Sequence, residues 1–177
     1  PDLSFAGNIG VQGFRVDPAD LGSWAGIAHA VVDRPRTASV LRQTRETRIS
    51  VSVDLDAEGP VSIATGIGFF DHMLDQVAKH GGFALTLACD GDLQVDEHHT
   101  VEDVALALGE ALRTALGDKR GIGRFGFLLP MDETEARISL DLSGRAYLKF
   151  EGEFPRPAVG QLPTELVPHF FRSVADS

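Results

Sequence analysis

Apolar and polar residues change their period several times along the chain, and each change predicts an element. Leu21, Trp24, Ile27, Ala28 and Val31 recur at helical spacing, with Asp17 as N-cap and Pro18 in the first turn. This predicts a short amphipathic helix closed by Arg34-Pro35. From Glu46 the period becomes two. Ile49, Val51, Val53 and Leu55 alternate with Arg48, Ser50, Ser52 and Asp54, as in a strand with one buried face. Residues 56–60 form a turn, after which Val61 and Ile63 start a return strand. Met73, Leu74, Val77 and Ala78 restore helical spacing between Phe70 and His80, stopped by Gly81-Gly82. Phe83, Leu85, Leu87 and Cys89 alternate as a further strand, and His99 to Leu116 reads as a second long helix. The order ββαβα then begins again. Ala136–Leu142 and Ala146–Glu151 alternate as strands, and Thr164 can cap a helix carrying Leu166, Val167, Phe170, Phe171 and Val174. As a repeat, this second ββα unit lacks its last strand and helix.

Composition narrows the class without naming a chemistry. The 177 residues suit one compact domain or two small repeats sharing a core. With 43% apolar and 24% charged residues the chain is composed like a globular protein. Its net charge of −10 argues against nonspecific nucleic-acid binding and against adhesion to anionic membranes. No apolar run approaches the roughly 18 residues of a membrane span. One cysteine, Cys89, excludes an intramolecular disulfide and sits on the apolar face of a strand. These features predict a soluble protein of a reducing compartment.

The candidate chemistry lies in the histidines. In Asp96-Glu97-His98-His99-Thr100-Val101-Glu102-Asp103, His98 and Glu102 are helical i,i+4 neighbours, so an imidazole and a carboxylate can share a face. Adjacent His98 and His99 point about 100° apart and suit two different ions better than one. His72 is read as lying on an apolar helix face, where an imidazole needs a partner or a metal. His169, in Pro168-His169-Phe170-Phe171, occupies a comparable place. His29 reads as an ordinary packing or surface residue. A His/carboxylate set admits Zn²⁺, Mn²⁺ or Fe²⁺, and the lack of thiolates disfavours structural zinc. Arg124 and Arg145 each neighbour a glycine, where a guanidinium can take a phosphate or simply make a surface ion pair. Lys119-Arg120 reads as a solvated helix-end pair.

Phe70-Asp71-His72-Met73-Leu74, His98-His99-Thr100-Val101-Glu102-Asp103, Gly117–Ile122 with Arg124-Phe125-Gly126, Pro130–Glu133 and Asp141–Arg145 follow one another in a single order. Together they resemble the imidazoleglycerol-phosphate dehydratase family of histidine biosynthesis, from about Val40 to Ser177. The resemblance implies an α/β fold of two-layer α+β type. It consists of duplicated ββαβα half-domains with helices on one face of each sheet, of the ribosomal protein S5 domain 2-like kind. The implied organisation is an unmatched extension over 1–39, a first repeat over 40–130 and a partial second repeat over 131–177. It also implies a cytoplasmic hydro-lyase assembled as a cage of 24 copies, with two Mn²⁺ ions per active site. Carried over by motif, His72, His98, His99, Glu102 and His169 correspond to metal ligands. Glu46, His72, His80, His98, Glu102, Arg124 and Arg145 fall where the family contacts its substrate, imidazole glycerol phosphate. Catalytic roles would fall to Glu46, His72, His99 and Glu102, with Glu46 as an acid/base carboxylate. In the family the two ions hold the imidazole as an imidazolate that expels the side-chain hydroxyl, through a diazafulvene-like intermediate. The family's second HHxxE group has no counterpart before Ser177. The expectation is therefore a chain truncated at its C-terminus, with an incomplete site, or else a noncatalytic paralogue that joins the assembly.

Overall fold

A computed structural model describes residues 8, 13–17, 21–32, 35–119, 122–127 and 134–177. Two compact units divide the chain, Pro1–Pro35 and Arg36–Ser177. In the first, helix α1 spans Leu21–Val32. Trp24 is exposed and Ile27 half-buried, and the Ser23 hydroxyl donates to the Asp17 carbonyl at 3.2 Å. The helix start expected at Pro18 and its end near Asp33-Arg34 lie outside the described residues, as does the side chain of His29.

The second unit is built on a four-stranded sheet of β1 (Thr37–Gln43), β2 (Thr47–Asp54), β3 (Val61–Ala64) and β4 (Ala84–Gly91). Their order is β1-β2-β4-β3. Strand β1 is not anticipated from the sequence. Its side chains alternate Ala38, Val40, Arg42 against Ser39, Leu41, Gln43, and the single charge on the inner face disguises the period. The return strand also differs from expectation. β3 does not pair with β2 but runs parallel to β4, which lies between them antiparallel to β2. Helix α2 (Gly68–Gly81) links β3 to β4, so this is a βαβ crossover rather than a hairpin. The helix stops at Gly82, whose φ of 67° is left-handed and lets amides turn back onto the Ala78 and Lys79 carbonyls.

Helices α2 and α3 (His98–Leu116) cover one face of the sheet. Ile49, Val51 and Val53 from β2, and Leu85 and Leu87 from β4, meet Phe70, Leu74 and Ala78 of α2 and Val101, Val104, Leu108 and Ala111 of α3. All are buried, and each larger side chain so buried stabilises the fold by about 1.5–3 kcal/mol. The opposite face of the sheet carries Ser39, Ser52, Thr86 and an exposed Leu41. This is the two-layer α+β arrangement, with α2 and α3 on one face of the sheet.

Beyond α3 the pattern is sparser. β5 (Phe125–Phe127) pairs antiparallel with β6 (Ser139–Asp141), and β7 (Ala158–Val159) with β8 (Leu162–Pro163). The strand expected over Ala136–Leu142 is shortened to β6, and the one expected over Ala146–Glu151 does not form. Its alternation survives, with Leu148 and Phe150 half-buried and Tyr147 81% exposed. No strand among the described residues pairs with it, and a strand needs a ladder partner as well as an apolar side. Helix α4 (Leu166–Asp176) follows. Thr164 does not cap it as expected. Its hydroxyl donates instead to the Arg156 and Pro157 carbonyls at 2.8 and 3.1 Å, tying down the β7–β8 ribbon.

Candidate metal centre

The HHxxE segment resolves into two pairs on adjoining faces of α3. His98 and Glu102 form one i,i+4 pair, His99 and Asp103 the other, and the one-residue offset turns them about 100° apart. The segment starts a helix because Asp96 accepts the His98 amide at 2.8 Å, satisfying one of the donors a helix N-terminus leaves free. Buried Val101, Val104 and Leu108 then hold it to the sheet.

The first face looks towards α4. Glu102 Oε2 lies 3.4 Å from His98 Nε2 and 3.3 Å from His169 Nε2. One ligand atom from each of the three residues falls within 4.8 Å of the others. The two imidazole rings stand 4.6 Å apart at 44°. His169 Nε2 is buried and makes no hydrogen bond among the described residues, even to the nearby carboxylate. A buried nitrogen without a hydrogen bond is costly unless something fills its place, and two imidazoles with one carboxylate oxygen suit a divalent Mn²⁺, Zn²⁺ or Fe²⁺ ion. Close helix packing sets this geometry. At Gly109, two turns beyond Glu102, a Cβ would lie 2.8 Å from the Val174 carbonyl oxygen and 2.6 Å from Ser177 Cβ. Only glycine lets α4 approach so closely, and the approach carries His169 onto Glu102.

The second face looks towards the strand ends. His99 Nδ1 meets the Asp92 carboxylate at 3.1 and 3.3 Å. This hydrogen bond raises the His99 pKa, and the charges of Asp92, Asp96 and Glu46 add to the effect. With Nδ1 engaged, Nε2 is the nitrogen left to bind a metal, as in carboxylate–histidine–metal sites. Glu46 is half-buried in the β1–β2 turn, its carbonyl accepting the Asp92 amide at 3.1 Å. His98 and His99 therefore serve different surroundings, their ring centroids 6.3 Å apart.

Asp103 is the residue sequence reasoning passed over, although it stands inside the quoted motif. Its side chain is 12% exposed. It accepts Thr47 Oγ1 at 2.6 Å, Arg42 Nε at 2.9 Å and Thr44 Oγ1 at 3.2 Å. Burial alone would raise its pKa, but the Thr47 and Arg42 hydrogen bonds outweigh that and hold it below the usual carboxylate value. An aspartate four residues after a candidate ligand histidine was the available signal, and its partner Arg42 was out of sight because it lies on the unanticipated strand β1.

Other expected residues lie apart. His72 is exposed, not on an apolar face. It sits two residues from both buried Phe70 and buried Leu74, and two helical positions turn a side chain about 200° away. Its ring is 6.4 Å from that of Phe69, and it does not join the trio. His80, exposed at the end of α2, meets Gln76 Oε1 at 3.1 Å. Arg124 and Arg145 come to one end of the β5–β6 ribbon, where the Leu142 amide donates to the Arg124 carbonyl at 3.0 Å. Arg124 holds Asp141 with two nitrogens at 2.8 and 3.1 Å. Arg145 follows Gly144, which has a φ of 79°, and its amide donates to Ser143 Oγ at 3.2 Å. Neither arginine bonds to the histidine group among the described residues. Arg120 and the segment Pro130–Glu133 lie outside them.

Comparison with known proteins identifies the family. The family model for imidazoleglycerol-phosphate dehydratase matches residues 65–177, which include both helices of the trio. The chain belongs to the imidazoleglycerol-phosphate dehydratase family. It is 61% identical over 179 residues to the histidine biosynthesis bifunctional protein HisB of Stenotrophomonas maltophilia strain K279a, covering 99% of this chain and 50% of that protein. It is 54% identical over 197 residues to HisB of Xanthomonas axonopodis pv. citri, covering 99% and 52%. The chain thus spans about half the length of these curated relatives. Their match runs through residues 1 to 39, which the motif resemblance leaves uncovered. Among solved structures, the Staphylococcus aureus imidazoleglycerol-phosphate dehydratase superposes with a TM-score of 0.69 at 36% identity, over 78% of this chain and 77% of that one. The Pyrococcus furiosus enzyme in complex with (S)-C348 gives 0.66 at 30% identity, over 77% and 73%.

Proposed function

We propose that the protein carrying this chain is an imidazoleglycerol-phosphate dehydratase of histidine biosynthesis. It takes water from imidazole glycerol phosphate to give imidazole acetol phosphate, as a manganese-dependent, cytoplasmic homo-oligomer of 24 copies. The observation that carries the reading is the meeting of His98, Glu102 and His169 from two helices, with the buried His169 nitrogen left without a hydrogen bond. A divalent ion there would act as a Lewis acid on the substrate's imidazole, acidifying a carbon that has no carbonyl beside it.

The chain's own groups do the rest. Glu46, in the turn beside Asp92 and His99, is the carboxylate that moves the proton. Asp92 holds His99 in the tautomer that presents Nε2. The reaction removes one C–H proton and the neighbouring hydroxyl as water, and the resulting enol takes up a proton at carbon to become the ketone. Arg124 and Arg145 are cationic against a net charge of −10 and supply the local attraction an anionic phosphate needs. His72 and His80, exposed on α2, are assigned to metal and substrate contacts in the assembly.

The test is the full-length protein, stripped of metal and reloaded with Mn²⁺, assayed for imidazole acetol phosphate. Manganese-dependent product that falls at least tenfold in Glu46→Gln supports the assignment. A correctly folded, metal-loaded protein with no turnover overturns it.

A further inference from the structure

We infer that Asp103 is a positioning residue that pins the Glu46 turn to the histidine-bearing end of α3, an inference that rests on the dehydratase reading. The β1–β2 turn carries Glu46 and is closed at the backbone by the Thr44 amide, which donates to the Thr47 carbonyl at 2.9 Å. Thr44 Oγ1 accepts the Glu46 amide at 3.2 Å and the Thr47 amide at 3.0 Å, closing the turn. The same hydroxyl has one hydrogen to give, and Asp103 Oδ2 takes it at 3.2 Å. Thr47 Oγ1 delivers a second bond to that oxygen at 2.6 Å, and Arg42 closes on Oδ1 through two nitrogens at 2.9 and 2.8 Å. One buried carboxylate thus grips the strand before the turn, the turn itself and the strand after it.

The far side of the turn is held just as directly. The Asp92 amide donates to the Glu46 carbonyl at 3.1 Å, and the Asp92 carboxylate binds His99. His99 and Asp103 lie one helical turn apart on the same face of α3. A closed circuit therefore runs from Asp103 through Thr44 to the Glu46 backbone, on through Asp92 to His99, and back along α3. It fixes the spacing between the turn that carries the proposed proton-transfer carboxylate and the proposed metal ligand His99. Proton transfer requires that spacing to hold to within a fraction of an ångström. Asp103 itself touches neither substrate nor metal in this scheme.

The experiment compares Asp103→Asn, Thr44→Ala and Thr44→Ser in the full-length protein, by amide hydrogen exchange and steady-state kinetics. Thr44→Ala is the variant least able to disturb the core. Asp103→Asn and Thr44→Ala should exchange the Glu46 and Thr47 amides at least tenfold faster, with Val51 and Leu87 within threefold of wild type. Turnover should fall at least tenfold with KM within threefold, and Thr44→Ser should restore both readouts. Unchanged exchange at Glu46 overturns the pinning, and a loosened turn with wild-type kcat overturns its catalytic consequence. A wild-type protein without turnover overturns the dehydratase reading instead, and the exchange rates then decide the pinning by themselves.

Discussion

Gly91 ends β4 directly opposite Thr47 and beneath the first turn of α3. A Cβ placed there would lie 2.1 Å from Thr100 Oγ1, about 0.9 Å inside the 3.0 Å limit that Cβ contacts respect, and 3.4 Å from Thr100 Cβ. Thr100 is fully buried and β-branched, so its side chain has little freedom to turn aside. Gly91→Ala must then push the first turn of α3 off the sheet, and overpacking of this kind costs about 1–3 kcal/mol. Because that turn carries His98, His99 and Glu102, Mn²⁺ binding should weaken as well, by about tenfold. Denaturant unfolding of Gly91→Ala, Thr100→Ala and the double variant measures the clash directly. Removing the threonine hydroxyl should relieve it, giving a coupling of at least about 1 kcal/mol in favour of the double variant. A Gly91→Ala protein within about 0.5 kcal/mol of wild type, or additive effects of the two changes, would refute the close approach.

Burial pushes the Cys89 thiol up to about 11. A thiol whose folded pKa is raised keeps its proton longer when folded. Its contribution to stability is therefore complete below about pH 9 and is lost as pH rises towards 11. Unfolding followed from pH 8 to 11 should show that decline, and Cys89→Ala should flatten it. Alkylation at pH 8 should likewise be far slower in the native protein than in denaturant. Arg124→Gln should raise KM for the phosphorylated substrate at least tenfold while leaving kcat within threefold, since the role proposed for the guanidinium is binding and not proton transfer. An unchanged KM in steady-state kinetics would remove Arg124 from the phosphate site.

The sequence disclosed most where one physical cause set the pattern. Ile49, Val51 and Val53 alternate because one face of β2 is buried, and the HHxxE spacing alone places His98 against Glu102. Pairing partners were not legible, because alternation states which face is buried and says nothing about the neighbour. β3 reads as the return of β2, yet β4 lies between them, and Ala146–Glu151 alternates without any partner among the described residues. His72 shows the limit of reading a face by composition. Phe69, Phe70, Met73 and Leu74 surround it in sequence, and the 100° step still turns it outward. Asp103 was hidden for the opposite reason, since an acidic residue early in a helix ordinarily serves the helix dipole. Only the fold brings Arg42, Thr44 and Thr47 to it, from some sixty positions away.

The trio of α3 and α4 is the point on which the functional account depends, and Mn²⁺ binding to wild type, His169→Ala and Glu102→Gln tests it most directly. Wild type should bind the ion with nitrogen hyperfine couplings from imidazole in its electron paramagnetic resonance spectrum. Either substitution should weaken binding by about tenfold or more and leave the fold intact by circular dichroism. Equal affinity in all three proteins would contradict the account.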